Sequence, residues 1–219
     1  MKKLYLIILF IINSLSLIAA PTLNGPTGLI TMPTAHSLHY KEFSFSYDYL
    51  TKTKPNMADR WAYSLNLGTF ENLEIGAIGG KNPGEGVFLN IKYFVSSGNE
   101  RFPLTFAVGF ENLSSYHESD FYLVVSKQMQ SDFSIHGGFK GVFSDTLNPF
   151  LMAGCEYNYT EKLRLLADVN GEQETYYLNT GLSYNFYNSF SFRLYLTDLL
   201  DNSPDGRYIS SGIAINKLL

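Results

Sequence analysis

Charged residues are scarce in this sequence. Asp, Glu, Lys and Arg make up 16% of its 219 residues, whereas an ordinary soluble domain carries about 25%. Aromatic residues account for another 16%, so something other than water must cover much of the surface. The formal net charge of -4 excludes the basic footprint that nucleic-acid binding requires.

Cysteine is nearly absent as well. Cys155 is the single cysteine, which excludes an internal disulfide, and we interpret it as a small apolar residue of a strand. His36 and His39 lie three positions apart without Cys or Asp neighbours, so they give little support to a metal site. No Gly-rich phosphate loop links a strand to a helix. The sequence predicts neither a cofactor nor a metal.

The N-terminus has the three parts of a secretory signal peptide. Two lysines precede an apolar run over residues 4–12, and two alanines end the segment at positions 19 and 20. We predict that residues 1–20 are a signal peptide for Sec-dependent export. A membrane anchor is the alternative, but about 15 apolar residues are short for a span.

From residue 40 onward, apolar side chains occupy every second position, which is the period of a half-buried strand. Residues 159–196 show this most clearly, with four strands separated by turns. About twelve strands of some ten residues are predicted, with 10 or 14 as alternatives, and this length crosses a bilayer when tilted. Residues 40–219 therefore predict an all-β, up-and-down antiparallel β-barrel. Longer connections are expected around residues 54, 82, 115, 145 and 201 and over residues 170–174, and very short ones after residues 70, 129, 159 and 186.

Three features indicate that the apolar face meets lipid. Lys and Arg are absent from that face within the strands, where a charge at mid-membrane would cost about 2 to 4 kcal/mol. The opposite face is mainly Gly, Ser, Ala, Asn and Thr, unlike an exposed soluble surface. Aromatic residues gather near strand ends, as in interfacial girdles. We predict a transmembrane barrel in the outer membrane of a Gram-negative-type cell, in contact with its lipid; a secreted β-sandwich is the alternative.

The polar face of such a barrel lines the lumen. Acids and bases on it nearly balance, and unpaired charges there would be expensive. We predict that they pair across the lumen as a buried network of Asp48, Glu74, Lys92, Glu111, His136, Lys140, Glu156, Arg164, Asp168 and Arg193. Interior packing is the preferred role of this network, and a charged solute path is the alternative. Residues 21–39, with three prolines and two glycines, are predicted to be irregular, and either plug the lumen or lie in the periplasm.

Residue types for nucleophilic catalysis are present, but their positions in the sequence give little support to a catalytic site. A Ser-His pair needs both side chains within hydrogen-bond reach, and His136 has no obvious serine partner in the sequence. Ser114–Asp120 contains Ser, His and acidic residues within one loop, which is an ordinary composition for a solvated segment. We predict no catalytic residues and a non-enzymatic protein.

The stretch GPTGLITMPTAHSLHYKEFSFSYDY, Gly25–Tyr49, resembles the N-terminal entry of YjbH-like outer-membrane proteins. The residues that match the Gly-Leu-Ile and Pro-Thr-Ala pattern of that family are Thr27, Gly28, Leu29, Ile30, Pro33, Thr34 and Ala35. Family members tied to exopolysaccharide production are much longer, so this chain resembles one barrel unit. The resemblance implies an assisting role in exopolysaccharide export or surface assembly, with polysaccharide or envelope export proteins as partners, and it supplies no catalytic residues.

Two other functions stay open beside the polysaccharide role. The first is a small, porin-like solute channel, which conductance in planar bilayers would support. The second is a lipid- or glycan-modifying enzyme, which would require a His-containing cluster at one rim of the barrel.

Overall fold

The computed structural model of this protein describes residues 20–54, 58–96, 103–115, 119–144, 147–172, 175–187, 189–203 and 206–218. The predicted signal peptide lies outside these ranges except for Ala20. Its strands are β1 (Glu42–Lys52), β2 (Arg60–Phe70), β3 (Leu73–Gly80), β4 (Gly86–Ser96), β5 (Thr105–Glu111), β6 (Ser119–Gln128), β7 (Phe133–Phe143), β8 (Leu147–Asn158), β9 (Leu163–Glu172), β10 (Thr175–Tyr187), β11 (Phe190–Thr197) and β12 (Tyr208–Leu218). Within the described ranges, no helix is long and apolar enough to cross a membrane.

The twelve strands form one closed antiparallel barrel. Each strand pairs with its neighbours in the chain, and β1 pairs with β12 from Glu42↔Leu218 to Lys52↔Tyr208. Closure leaves no unpaired strand edge, which matters in a bilayer because hydrocarbon cannot satisfy free N–H and C=O groups. The predicted up-and-down barrel of about twelve strands is confirmed. The four strands predicted within residues 159–196 are wrong in number, because the stretch contains only β9, β10 and most of β11.

Side chains alternate between the two faces of the barrel wall. In β11, Phe192 is 41% and Leu194 39% exposed, whereas Ser191 and Arg193, at the alternate positions, are buried. The same alternation runs round the barrel, with apolar side chains outside and mainly small or polar ones inside. Because the whole circumference carries this apolar band, far larger than the patches on soluble monomers, the outer face is the lipid-facing one.

The two ends of the barrel have different connections. Tight turns such as residues 71–72 and 159–162 close one end, where β1 begins and β12 ends. Longer segments such as residues 53–59 and 198–207 connect strands at the other. We name these the turn end and the loop end; in outer-membrane barrels they face the periplasm and the exterior, respectively.

Two of the predicted longer connections are wrong. Residues 170–172 are strand, because β9 continues to Glu172, and β10 already begins at Thr175; residues 173 and 174 lie outside the described residues. The connection around residue 145 is also short, because β7 and β8 stay paired as far as Phe143↔Leu147. In both places the ladder of backbone hydrogen bonds extends further than the polar residues suggest.

The segment formed by residues 20–39, here called the plug, lies inside the barrel. Isolated bridges between Pro21 and Thr27 and between Gly28 and Pro33 fold it back on itself. The plug leaves the lumen at the turn end, where the Lys41 backbone N–H donates to the carbonyl of Gly68 at 2.9 Å. A Cβ on Gly68 would come within 1.9 Å of the His39 carbonyl oxygen, so this glycine permits the close approach of the chain to the wall.

Apolar side chains of the plug pack against apolar positions of the lumen wall. One cluster consists of Leu23, Leu29 and Ile30 of the plug with Leu50, Leu166, Tyr195 and Tyr208 of the wall. A second consists of Met32 and Ala35 of the plug with Ala107, Tyr122, Val124 and Met152. These wall residues interrupt the polar pattern of the lumen face, and contact with the plug explains why they are apolar.

Ile213→Arg is expected to destabilise the barrel by about 2 to 4 kcal/mol, the cost of a cation at the bilayer midplane. Ile213 is 45% exposed at the centre of β12 and points outward. Ile209→Arg is the matched control, because Ile209 lies on the same face near the strand end, where the cost falls to about 0 to 1 kcal/mol. Urea unfolding in lipid vesicles measures both, and equal costs would contradict the lipid-facing assignment.

Candidate functional site: the plugged lumen

Glu74 and Lys92 bind the middle of the plug. They are register partners on β3 and β4, and Lys92 Nζ lies 3.4 Å from Glu74 Oε2. Glu74 accepts hydrogen bonds from the Thr27 backbone N–H (2.9 Å), the Thr27 hydroxyl (2.7 Å) and the Leu38 backbone N–H (3.2 Å). Lys92 donates to the carbonyls of Thr27 (2.8 Å) and His36 (2.6 Å), and to the Thr27 hydroxyl. This ion pair of the wall therefore binds Thr27 near the middle of the plug together with His36 and Leu38 near its end.

Asp168 binds the tip of the plug through backbone groups. Its Oδ2 accepts from the successive N–H groups of Ile30 (2.9 Å), Thr31 (2.8 Å) and Met32 (3.1 Å). Its Oδ1 accepts from the Thr31 hydroxyl (2.9 Å) and the Asn179 amide (2.7 Å). Successive N–H groups in a turn form a concave anion site. Among the described residues, no Lys or Arg forms an ion pair with this carboxylate.

Arg193 binds the start of the plug. Its guanidinium donates to Asp48 on β1 and to the carbonyl of Pro21. Strand β12 stands between β11 and β1, and the ion pair passes over it at Gly212, where a Cβ would lie 2.0 Å from Asp48 Oδ1. The glycine is therefore required for this contact.

The remaining charges pair along the wall. Lys140 Nζ lies 2.6 Å from Glu111 Oε2 and 3.3 Å from Asp120 Oδ2, and Arg164 lies 3.6 Å from Glu156. These pairs join adjacent or next-but-one strands, so the predicted pairing across the lumen is wrong in its geometry. Pairs cannot meet across the centre because the plug occupies it.

His136 has a serine partner that the sequence did not reveal. Ser126 Oγ lies 2.7 Å from His136 Nδ1, and Glu156 Oε1 lies 3.8 Å from His136 Nε2. All three side chains are buried, and Ser126 Oγ also accepts the Ala35 backbone N–H at 2.9 Å. A nucleophile needs room for substrate beside it, and here the plug fills that position. The group therefore acts in this structure as an anchor for the plug.

The other candidate residues do not converge. The half-buried His36 ring lies 6.2 Å from the His136 ring, edge to face, whereas His39 is exposed at the turn end. Within Ser114–Asp120, His117 lies outside the described residues. In the described part of the chain, no three His, Cys, Asp or Glu side chains are grouped so as to hold a metal ion.

The residues that resemble the YjbH-like motif form the centre of the plug. Leu29 packs against Gly154 of β8, where a Cβ would lie 2.4 Å from its Cδ1. A Cβ on Gly28 would meet the Met32 carbonyl oxygen at 2.3 Å, so the fold of the plug requires glycine there. The remaining residues of the motif, buried in the plug, are Thr27, Ile30, Pro33, Thr34 and Ala35.

Neutral amide side chains on the wall also bind the plug, and a prediction based on charge misses them. Asn66 donates to the Gly25 carbonyl (2.7 Å), and Asn170 and Asn179 donate to the Thr31 hydroxyl (2.7 and 2.9 Å). All three asparagines occupy lumen-facing positions in the alternation of their strands. Asparagine at such positions is thus the sequence feature that could have predicted these contacts with the plug.

Two carboxylates at the loop end have lowered pKa values. Asp201 lies 2.7 Å from Lys54 Nζ, and this hydrogen-bonded ion pair lowers the pKa of its carboxyl. Asp59 accepts from the Lys52 backbone N–H (3.1 Å) and the Tyr49 hydroxyl (2.8 Å), which lower its pKa. Both groups are therefore ionised at neutral pH at the mouth of the barrel.

No protein-family model matches this chain, and no curated protein matches it. Solved porin structures share its fold. The KdgM porin aligns with a TM-score of 0.59 at 14% identity, over 78% of this chain and 98% of that chain. The NanC porin gives 0.56 at 8% identity over 81% and 99%. The Ralstonia pickettii toluene transporter TbuX gives 0.57 at 11% identity over 91% and 95%. The chain therefore shares the barrel fold of these two porins and this transporter.

Proposed function

We propose that the protein is a non-enzymatic outer-membrane channel for small solutes, closed in this structure by its own N-terminal segment. One observation carries this proposal: the lumen is filled by a peptide, not by side chains of the wall. Eight strands enclose a space that wall side chains fill, whereas 16 to 18 leave an aqueous channel. A twelve-stranded wall lined by Gly, Ser and Asn leaves an intermediate space, and the plug occupies it.

The barrel does not depend on the plug for its backbone hydrogen bonds. All twelve strands pair only with one another, and the plug joins the wall through side chains and through one chain connection before Glu42. Its removal would therefore leave the ladders intact and expose a polar, charged lumen. Such a lining favours hydrated solutes over apolar ones.

The polysaccharide-related role is the second candidate, favoured by the place of the YjbH-like motif in the plug. In that case the plug would respond to polysaccharide or to an envelope export protein. This role stays a prediction that rests on the motif.

Gly154→Leu tests the channel proposal. The new side chain would occupy the position of Leu29, since even a Cβ would lie 2.4 Å from it. We expect the variant to displace the plug and to raise the conductance of planar bilayers above the closed level of the unaltered protein. Gly137→Leu is the matched control on the neighbouring strand, because Gly137 faces lipid and a Cβ added there would have no heavy atom within 4 Å.

A heat-dependent gel shift verifies that both variants form the barrel. A folded Gly154→Leu barrel that is as closed as Gly137→Leu would overturn the proposal of a displaceable plug. Steady conduction by the unaltered protein at rest would show that the plug does not close the lumen.

A further inference from the structure

We propose that a cavity beside the tip of the plug is a binding site for a small organic cation. This inference rests on the proposed channel function, because a solute that enters from the loop end would meet the plug at this cavity. The cavity has a volume of about 190 Å³ and lies between the plug and strands β6 to β9. Its lining residues are Asn24, Thr31, Asp120, Lys140, Val142, Phe150, Met152 and Asn170.

The volume limits the size of the ligand. An engineered apolar cavity of about 150 Å³ holds benzene, so about 190 Å³ accommodates a molecule of roughly seven to nine heavy atoms. An oligosaccharide is far too large for this space. The site therefore fits a small solute on its way past the plug.

Negative charge predominates around the cavity. Lys140 is the single basic residue of the lining, and it faces two carboxylates, Glu111 and Asp120. A third carboxylate, Asp168, does not line the cavity but accepts a hydrogen bond from the hydroxyl of the lining residue Thr31. The plug adds no compensating charge, since residues 20–38 contain no Asp, Glu, Lys or Arg. Lys92, the other lysine near Glu111, is paired with Glu74, so three carboxylates against one ammonium remain, and this net negative charge attracts a cation and disfavours an anion.

The uncharged lining suits an organic cation better than a metal ion. Phe150 contributes an aromatic ring, and Val142 and Met152 contribute apolar surface. Aromatic rings attract ammonium groups through the electrostatics of their faces, whereas hard metal cations require several oxygen ligands. Asn24 and Asn170 supply amide groups that can bind a polar substituent of the ligand.

Calorimetric titration of the full mature chain in detergent micelles tests this site, with choline as the probe. We expect choline to bind, and its neutral isostere 3,3-dimethyl-1-butanol to bind at least tenfold more weakly. Asp120→Asn should weaken choline binding about tenfold by removing one interacting charge. Phe150→Leu should weaken it about two- to fivefold by removing the aromatic ring.

Asp132→Asn is the matched control, because it removes a carboxylate in the turn between β6 and β7, at the opposite end of these strands from the cavity residues Asp120 and Val142. Equal binding of choline and its isostere, or equal effects of Asp120→Asn and Asp132→Asn, would overturn the inference. The comparison of the two probes uses the unaltered protein and decides the question even if a variant does not fold. Binding is measured on the closed barrel, so its failure is distinguishable from a failure of Gly154→Leu to conduct.

Discussion

Deleting residues 21–38 is expected to convert the closed barrel into a steadily conducting pore, with bilayer conductance rising more than about tenfold because twelve strands enclose more space than wall side chains fill. The strands pair independently of the plug, so the wall persists. The lumen then exposes the former plug ligands, including Glu74 and Asp168. Single-channel recording measures the change, and the heat-dependent gel shift verifies the fold.

Adding the deleted segment back as a synthetic peptide provides the control. The peptide should restore closure, because each of its contacts with the wall is non-covalent. A scrambled peptide of the same composition should not, since it cannot place the Thr27 N–H and hydroxyl on Glu74 together. A folded deletion variant that remains closed would mean that the wall fills its own lumen, and the channel proposal would then be wrong.

The barrel itself could be predicted because its signal is local. Each strand repeats an alternation such as exposed Leu165 beside buried Arg164, and the absence of Lys and Arg from the apolar face favours lipid outside and a polar lumen inside over a secreted sandwich. Strand length and tight turns then define an up-and-down barrel. Every step of this prediction uses residues less than about 15 positions apart, so one sequence is sufficient.

The contents of the lumen were not predictable in the same way. Composition leaves residues 21–39 with two alternatives, inside the lumen or in the periplasm. The distinguishing information lies on the wall, where Tyr122 and Val124 are apolar at lumen positions because they pack with Met32 and Ala35. Those contacts join residues roughly 90 positions apart, and no local period reveals them.

The charges illustrate the same limit. Their lumen-facing positions follow from alternation, but their partners do not. Arg193 reaches Asp48 over a strand that carries glycine at the crossing point, and Asp168 binds backbone N–H groups in place of a basic side chain. A balance of acids and bases therefore predicts an ion pair for every carboxylate, whereas in the structure the Asp168 carboxylate binds the backbone of the plug.

Asp168→Ala is expected to loosen the tip of the plug, with an effect second only to that of deleting the plug. The substitution removes the acceptor for the N–H groups of Ile30, Thr31 and Met32 and for the Thr31 hydroxyl. Each buried N–H left without an acceptor costs about 1 to 3 kcal/mol. A loss of about 3 kcal/mol would raise the population of barrels with a released plug about a hundredfold.

Maleimide labelling measures this release directly. Ala35→Cys in a Cys155→Ser background places one thiol at a plug position that is fully buried, so labelling requires the plug to move. Labelling should accelerate about a hundredfold with Asp168→Ala, and conductance should rise with it. Asp120→Ala is the matched control. That lumen carboxylate accepts a hydrogen bond from Lys140 of the wall, and no hydrogen bond joins it to a described plug residue. Equal labelling rates in the two variants would show that the plug is held by its apolar clusters and not by the carboxylate at its tip.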